Sequence, residues 1–393
     1  MSTLAAVTTG QGTGAISTIQ VFGDSAETII KKIFKPAGTK PAILKPGKIL
    51  LGTISDGDKT IDQVTLGCEG PKSYAINCHG NPLIVEMIME LLGQNGAEMV
   101  SAEELLAKTL AEEYANTIEL EAKLTQLKSQ TIEGTKIIAN QITGGLSTKA
   151  RQWLQGINEI PLDEIKADAE QILKNSRISK LIINGCKAVI AGPPNTGKST
   201  LLNCLCGKTK AIVTDIKGTT RDWVSAQCRM ERLSLELIDT AGLNENPAAI
   251  SENSPEKLSQ QKTAEILKEA DLVLLVLDRS QSENPIDKKL LKKIADKKVL
   301  TVLNKCDLPA NFDAGKLPDI LSKTVQISAK FSIGIENLCE KIRQICGVAN
   351  FDLHSAVCIT NRQEDLLEHL KNAKSKSEAT SIITELLNGR LSV

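Results

Sequence analysis

The sequence predicts a multidomain chain combining α/β and all-α parts: a small α/β domain at the amino terminus, then a helical domain into which a second α/β domain is inserted. Three features point to it. Short β-like runs and one apolar helical run fill residues 1–100, and apolar residues recur at helical spacing from Ser101. From about Leu181 near-continuous apolar strands alternate with helices, and a polar helical stretch returns after Gly347. The expected divisions are 1–100, 101–180, 181–348 and 349–393, with the second and fourth segments forming one helical domain around the third. A chain of 393 residues is long enough for each part to bury a core of its own.

Taken in order, "AISTIQVF" and "IDQVTLGC" read as strands and "PLIVEMIMELLGQNG" as a helix. "SAEELLAKTLAEEYANTIELEAKLTQL" sets leucine and isoleucine at helical spacing with Glu and Lys between them, the pattern of an amphipathic helix. Helical signals continue through "KARQWLQGINEIPLDEIKADAEQILKNS". Pro161 there suits the first turn of a new helix, where a missing N–H costs nothing. "KAVIAG", "LSLELIDTAG", "DLVLLVLD", "KKVLTVLNKCD" and "TVQISAK" read as strands of a parallel sheet covered on both faces. "NRQEDLLEHLKNAKSKSEATSIITELLNG" completes the helical part.

Composition excludes several classes. Lys plus Arg and Asp plus Glu stand at 47 each, so no global basic field exists to capture nucleic acid, although a local patch stays open. Aromatics make up 2% of the residues, too few for extensive base-stacking platforms. The ten cysteines, Cys204, Cys206, Cys339 and Cys346 among them, form no CxxC pair and have no histidine at ligand spacing. With no leader-like segment, they read as reduced thiols of a cytoplasmic protein, most of them filling core. No apolar run approaches the ~18 residues that span a bilayer, so no membrane partner is expected.

The chemistry is concentrated in four motifs. Gly192-Pro-Pro-Asn-Thr-Gly-Lys-Ser199 lies between a strand, "KAVIA", and a helix, "STLLNCLCG". That context suits a loop whose N–H groups, from Asn195, Thr196 and Gly197 into the helix start at Thr200, bind phosphate oxygens. Lys198 adds a point charge at the β/γ-phosphates, and Ser199 offers a hydroxyl to Mg²⁺. Asp239-Thr-Ala-Gly242 follows an apolar strand, where the carboxylate can meet Mg²⁺ through water and the Gly242 N–H can sense a γ-phosphate. Asn304-Lys305-Cys306-Asp307 ends the next strand but one. The Asp307 carboxylate can accept from the N1 and N2 donors of guanine, an arrangement adenine cannot supply, and an unpaired buried carboxylate penalises the wrong base. Ser328-Ala329-Lys330 ends the last strand, where a backbone N–H can meet guanine O6.

Four motifs in this order imply a site for GTP and GDP with Mg²⁺. Between the first two lies "AIVTDIKGTTRD", 211–222. One threonine there must reach Mg²⁺ when the γ-phosphate is present. Thr219 and Thr220 are the candidates, and Thr220 is favoured. Ras-like enzymes orient the attacking water with a glutamine just after the Asp-x-x-Gly motif. Here that residue is Leu243, so hydrolysis is slow or its charge comes from elsewhere.

"GPPNTGKSTLLN", "AIVTDIKGTTRD" and "DTAGL" together resemble the MnmE family of tRNA-modification GTPases. "TTGQGTGAISTIQVFGDSAE" and "PKSYAINCHGNPLIVEMIMELLGQNGA" resemble that family's amino-terminal domain, so the likeness covers most of the chain. It implies a Ras-like P-loop G domain inserted in the helical domain. It also implies a K⁺ ion beside the phosphates, held by Asn195, the backbone carbonyls of Thr214 and Ile216, and the Thr219 hydroxyl. Oxygen ligands suit such a cation, and its charge offsets the charge that grows in the transition state. The family's water-orienting glutamate, counted back from Ala270-Asp271, falls on Glu256, which would be catalytic with Lys198 and Thr220. The resemblance further implies a homodimer, folate in the amino-terminal domain, an MnmG-like partner holding FAD, and tRNA as the substrate whose wobble uridine is modified.

Departures fall on the modification side. The chain ends "ELLNGRLSV" where the family has Cys-x-Gly-Lys, and its last cysteine is Cys358. The family's Pro-Gly-Arg-Gly-Ala-Ile is here Gly12-Thr13-Gly14-Ala15-Ile16, its acidic stretch shrinks to Ser73-Tyr74-Ala75, and "LLAKTLAEEYANTIELEA" lacks the family's arginines. Cys78-His79-Gly80 is retained, and a lone histidine beside glycine reads more readily as a turn residue than as a catalyst. Two expectations follow: a working tRNA-modification GTPase, or a GTPase switch or scaffold that has shed the modification chemistry. A ribosome-assembly GTPase is a weaker third reading, since neither tandem G domains nor a carboxy-terminal RNA-binding domain is evident.

Overall fold

The computed structural model describes residues 2–10, 12–38, 44–110, 114–208, 224–239, 265–284, 286 and 288–389. The chain divides into two units, Met1–Leu120 and Glu121–Gly389.

Seven strands of the first unit form one sheet: β1 (Leu4–Val7), β2 (Ile16–Phe22), β3 (Phe34–Pro36), β4 (Lys48–Asp56), β5 (Lys59–Gly70), β6 (Ser73–His79) and β7 (Glu98–Met99). Their order is β3-β4-β5-β6-β2-β1-β7, antiparallel except where β7 pairs with β1. Period-two alternation decides which face is covered. Ile19 and Val21, Val64 and Leu66, and Tyr74 and Ile76 are all buried, and α1 (Ala26–Ile33) and α2 (Pro82–Gln94) share that core with them. Asn81 caps α2 by accepting the Leu83 N–H at 3.0 Å, and Pro82 follows where a missing donor is harmless. On the alternate positions Thr18 Oγ1 donates to Asn77 Oδ1 at 2.8 Å, and Asn77 Nδ2 donates to Thr65 Oγ1 at 3.3 Å. Ala102–Leu110 forms α3, and Thr117–Thr125 forms α4, which runs on into the second unit.

Beyond the end of α4, the second unit continues with α5 (Ile132–Thr143), α6 (Leu146–Gln155) and α7 (Leu162–Asn184). Pro161 occupies the N-cap of α7, one position before the first turn. On α6, Trp153 is buried, its Nε1–H donates to Asp168 Oδ2 at 3.1 Å, and the Lys149 ammonium lies 5.9 Å from the ring centroid. A six-stranded sheet follows, built from β8 (Cys186–Ala191), β9 (Val224–Met230), β10 (Leu233–Asp239), β11 (Leu272–Asp278), β12 (Lys298–Asn304) and β13 (Thr324–Gln326). The order is β13-β12-β11-β8-β10-β9.

This sheet is buried on both faces, and alternate residues of one strand feed different cores. Ala188 and Ile190 join one cluster, with Leu272, Leu274 and Val276; Val189 and Ala191 join the other, with Val273, Leu275 and Leu277. Helix α8 (Lys198–Lys208) follows β8, α9 (Lys288–Ile294) precedes β12, and α10 (Ile335–Cys346) closes the sheet region. The sheet is not wholly parallel as the apolar strands alone suggested. The edge strand β9 pairs antiparallel with β10 through a hairpin whose turn holds Arg232 at φ +63°. An edge strand need not be apolar on both faces, so "VSAQCRM" carries no continuous apolar signal. Arg232 donates to the carbonyls of Ala349 and Phe351.

After Gly347 the chain passes to α11 (Asn361–Lys371) and α12 (Lys376–Asn388). The Cys358 N–H donates to Ser176 Oγ at 2.8 Å, the Val357 N–H to Gln141 Oε1 at 3.0 Å, and Lys180 pairs with Glu364 at 2.7 Å. Glu121, 4% exposed, accepts Arg362 Nε and Nη2, Thr360 Oγ1 and Gln363 Nε2 at 2.6–2.9 Å. All ten cysteines are free thiols and six are buried. Among the described residues no helix is long and apolar enough to cross a membrane.

Candidate nucleotide site

The loop between β8 and α8 needs glycine at both ends. Gly192 has φ +143°, and a Cβ there would stand 2.2 Å from the Val276 carbonyl oxygen. Gly197 has φ +93°, and its Cβ would stand 2.4 Å from Asn304 Nδ2. Between them Asn195 is left-handed at φ +63°, a conformation that asparagine tolerates better than most residues. Thr196 Oγ1 donates to the Pro193 carbonyl at 3.0 Å. Lys198 Nζ donates to the carbonyls of Gly192 and Pro193 at 3.1 and 2.9 Å. Burial pushes the Lys198 ammonium below its ordinary pKa, while the Asp239 carboxylate pulls the other way.

Parallel pairing of β10 with β8 sets Asp239 beside Ile190, so its carboxylate reaches the first turn of α8. Ser199 Oγ donates to Asp239 Oδ2 at 2.7 Å. A hydroxyl and a buried carboxylate meeting beside a phosphate-type loop form a hard oxygen donor set, which fits Mg²⁺ bound by few protein ligands. Thr200, next along the helix, is exposed.

The far side of the loop is held from β12. Asn304 Nδ2 donates to the Thr196 carbonyl at 2.8 Å, and Asn304 Oδ1 accepts the Ala329 N–H at 2.9 Å. Lys305, at φ +63°, donates to the Asn195 carbonyl at 2.9 Å and to Asp278 Oδ2 at 2.6 Å. Burial would raise the Asp278 carboxyl pKa, but the Lys305 ammonium with the Ser280 hydroxyl and N–H outweighs it and holds the group below its ordinary value. Asp307 is exposed two residues beyond Lys305. Ser328 is buried and exchanges backbone hydrogen bonds with Ile333.

The structure thus gathers Asn195, Thr196, Gly197, Lys198, Ser199, Asp239, Asn304, Lys305 and Ala329 into one connected network. Thr214, Ile216, Thr219, Thr220, Gly242, Leu243 and Glu256 lie outside the described residues. Sequence reasoning missed Asp278. Its only sequence signal is an acid closing the otherwise apolar run "LVLLVLD". Away from this site, His79 ends β6 and its Nδ1 lies 2.7 Å from Oδ1 of the buried Asp62, whose Oδ2 accepts the His79 N–H. Gly80 is confined by the Gly14 backbone, where a Cβ would come within 2.3 Å.

A sheet with this loop at the end of a central strand and an Asn-Lys-x-Asp motif bonded to the loop defines a P-loop GTPase. Residues 187–305 match the family described as 50S ribosome-binding GTPase, and residues 3–109 match the GTP-binding protein TrmE N-terminus. The tRNA modification GTPase MnmE of Clostridioides difficile (strain 630) is 30% identical over 414 residues, covering 96% of this chain and 88% of that protein. The MnmE of Desulforamulus reducens is 31% identical over 414 residues, covering 94% and 89%. That of Enterococcus faecalis is 31% identical over 381 residues, covering 87% and 81%. The chain belongs to the MnmE family and is a GTP hydrolase.

Proposed function

We propose that the chain runs a potassium-stimulated GTPase cycle that serves modification of the tRNA wobble uridine. The observation that carries the nucleotide part is the direct bonding of Asn304 and Lys305 to the carbonyls of Thr196 and Asn195. Base-reading and phosphate-holding segments then form a single preorganised element, and preorganised dipoles are what stabilise charge in a transition state.

In this reading the loop N–H groups and Lys198 bind the phosphates, and Ser199, Asp239 and Thr220 hold Mg²⁺. Asp307 accepts from guanine N1 and N2, and Gly242 senses the γ-phosphate. Guanine O6 takes a donor from the Ser328–Ala329 segment, where the Ala329 N–H is donated to Asn304 Oδ1; base and asparagine share that donor. Asn195, Thr214, Ile216 and Thr219 are the proposed K⁺ ligands, and the ion would supply positive charge beside the β- and γ-phosphates. Glu256 orients water. Residues 1–100 form a folate-binding-like dimerisation domain, 181–348 the G domain, and 101–180 with 349–393 the helical domain that contains it. A homodimer, an MnmG-like partner and tRNA complete the assembly, in the cytoplasm.

A second reading is a GTPase switch or scaffold without the modification chemistry. It is favoured by one observation: Ser73-Tyr74-Ala75 is ordinary strand, with Tyr74 in the core and Ser73 bonded to Gln20. The test is expression in cells lacking their own MnmE, supplied with a cognate MnmG, followed by mass spectrometry of wobble nucleosides. Restored modified uridine supports the first reading. Unmodified uridine, from a folded chain that hydrolyses GTP and binds that MnmG, refutes it.

A further inference from the structure

Asp278 belongs to none of the four motifs, yet its side chain is 2% exposed and lies against the lysine of one of them. Its surroundings fix it firmly. Oδ1 accepts the Ser280 N–H at 2.9 Å and the Ser280 hydroxyl at 2.7 Å. Asn284 brackets its backbone, accepting the Asp278 N–H and donating to the Asp278 carbonyl, both at 2.9 Å. Oδ2 is left to face Lys305 Nζ at 2.6 Å. The same ammonium reaches the Asn195 carbonyl at 2.9 Å. One lysine thus spans from a rigid buried carboxylate to the left-handed residue at the crest of the phosphate loop.

We propose that Asp278 is a positioning residue for nucleotide binding, acting through Lys305 to hold Asn195 in its left-handed conformation. An asparagine at φ +63° stays there only while its surroundings favour it, and among the described residues the Lys305 ammonium tethers its carbonyl. A lysine side chain is long and rotatable, so it holds a carbonyl in place only if its ammonium is itself anchored. A desolvated carboxylate with one oxygen committed to its own loop and the other to the ammonium is such an anchor. Without it the ammonium is free to turn to water and the loop relaxes. The consequence for K⁺ rests on the reading of Asn195 as a potassium ligand; the consequence for nucleotide retention does not.

The test is release of a fluorescent mant-GDP from the full chain, in KCl and in NaCl. Asp278→Asn keeps an acceptor for Ser280 and turns an amide donor toward Lys305. It is expected to speed release about tenfold, the scale of one charge-assisted hydrogen bond. Lys305→Met should do the same, and the double variant should release no faster than Lys305→Met alone. Effects that multiply, or unchanged release in Asp278→Asn, would overturn the proposal. Ser280→Ala is the control for loop loosening: release near wild type is expected, and release as fast as in Asp278→Asn would shift the role to the loop and sink the idea. If asparagine at 278 does not fold, Lys305→Met still decides, because wild-type release there leaves Asp278 nothing to act through. In a potassium titration of GTP hydrolysis, Asp278→Asn should need several times more K⁺ for half-maximal rate, again about one such hydrogen bond. A wild-type chain indifferent to K⁺ ends the potassium reading, and the release cycle in NaCl still judges Asp278.

Discussion

Replacing Gly197 by alanine puts a methyl group where Asn304 Nδ2 already is, 2.4 Å from the new carbon, at φ +93°. The left-handed backbone costs about 1–2 kcal/mol for an L-residue. Asn304 must also move, and it holds two buried bonds, to the Thr196 carbonyl and from the Ala329 N–H. Each buried group left unpaired costs about 1–3 kcal/mol. The terms together reach about 3–8 kcal/mol, which corresponds to a loss of about 10²–10⁶ in affinity if the loop escapes by abandoning its nucleotide-ready shape. Isothermal titration with GDP, with circular dichroism to confirm the fold, reads this directly. Gly207→Ala supplies the control on the helix that follows the loop, since among the described residues nothing lies within 4 Å of a Cβ there. There we expect unchanged binding and a gain of about 0.5–1 kcal/mol in stability. GDP affinity in Gly197→Ala within about threefold of wild type would refute the claim that the loop and Asn304 are packed against each other.

Asp307→Asn should move preference from guanine toward xanthine nucleotides, measured by competition against GDP; retained guanine preference removes Asp307 from base recognition. Glu121→Gln neutralises a carboxylate that accepts four donors, Arg362 twice among them, and should lower stability of the second unit by about 2–4 kcal/mol in urea unfolding. A change below about 1 kcal/mol would mean that water replaces the bidentate partner without penalty. Because the folded Asp278 carboxyl lies below its ordinary pKa, its stabilising effect is fully present above the unfolded value. It is lost as pH falls through the folded one, so the stability gap between wild type and Asp278→Asn should close below about pH 4. A gap constant down to about pH 2 would show that the ion pair is not what the carboxylate contributes.

The parallel strands of the second sheet are legible in the sequence because burial on two faces leaves no room for polar residues. "LVLLVLD" supplies alternate residues to both cores and is apolar throughout until Asp278. Strand β9 is not legible, because an edge strand in a hairpin is fixed by its pairing with β10 and not by its own composition. The phosphate loop and the Asn304–Asp307 motif are local and read directly from spacing. What ties them together is not local. Asn304 meets Thr196 across 108 residues, and Lys305 meets Asp278 across 27, because β12, β11 and β8 are neighbours in the sheet. The pair of Asp62 and His79 was hidden for a similar reason: the β5–β6 hairpin brings it together. A turn residue was expected at His79, and the strand end with its buried carboxylate partner is what the pairing imposes.

The burial of Trp153 has an optical consequence. The chain holds two tryptophans, Trp153 and Trp223. An indole 1% exposed and hydrogen-bonded to a carboxylate emits from a dry setting, toward the blue and shielded from iodide. A Trp223→Phe variant would leave that indole as a single internal lamp on α6. Energy transfer from it to a mant nucleotide would then report spacing between the helices and the phosphate loop through each round of turnover, with no label attached to the protein.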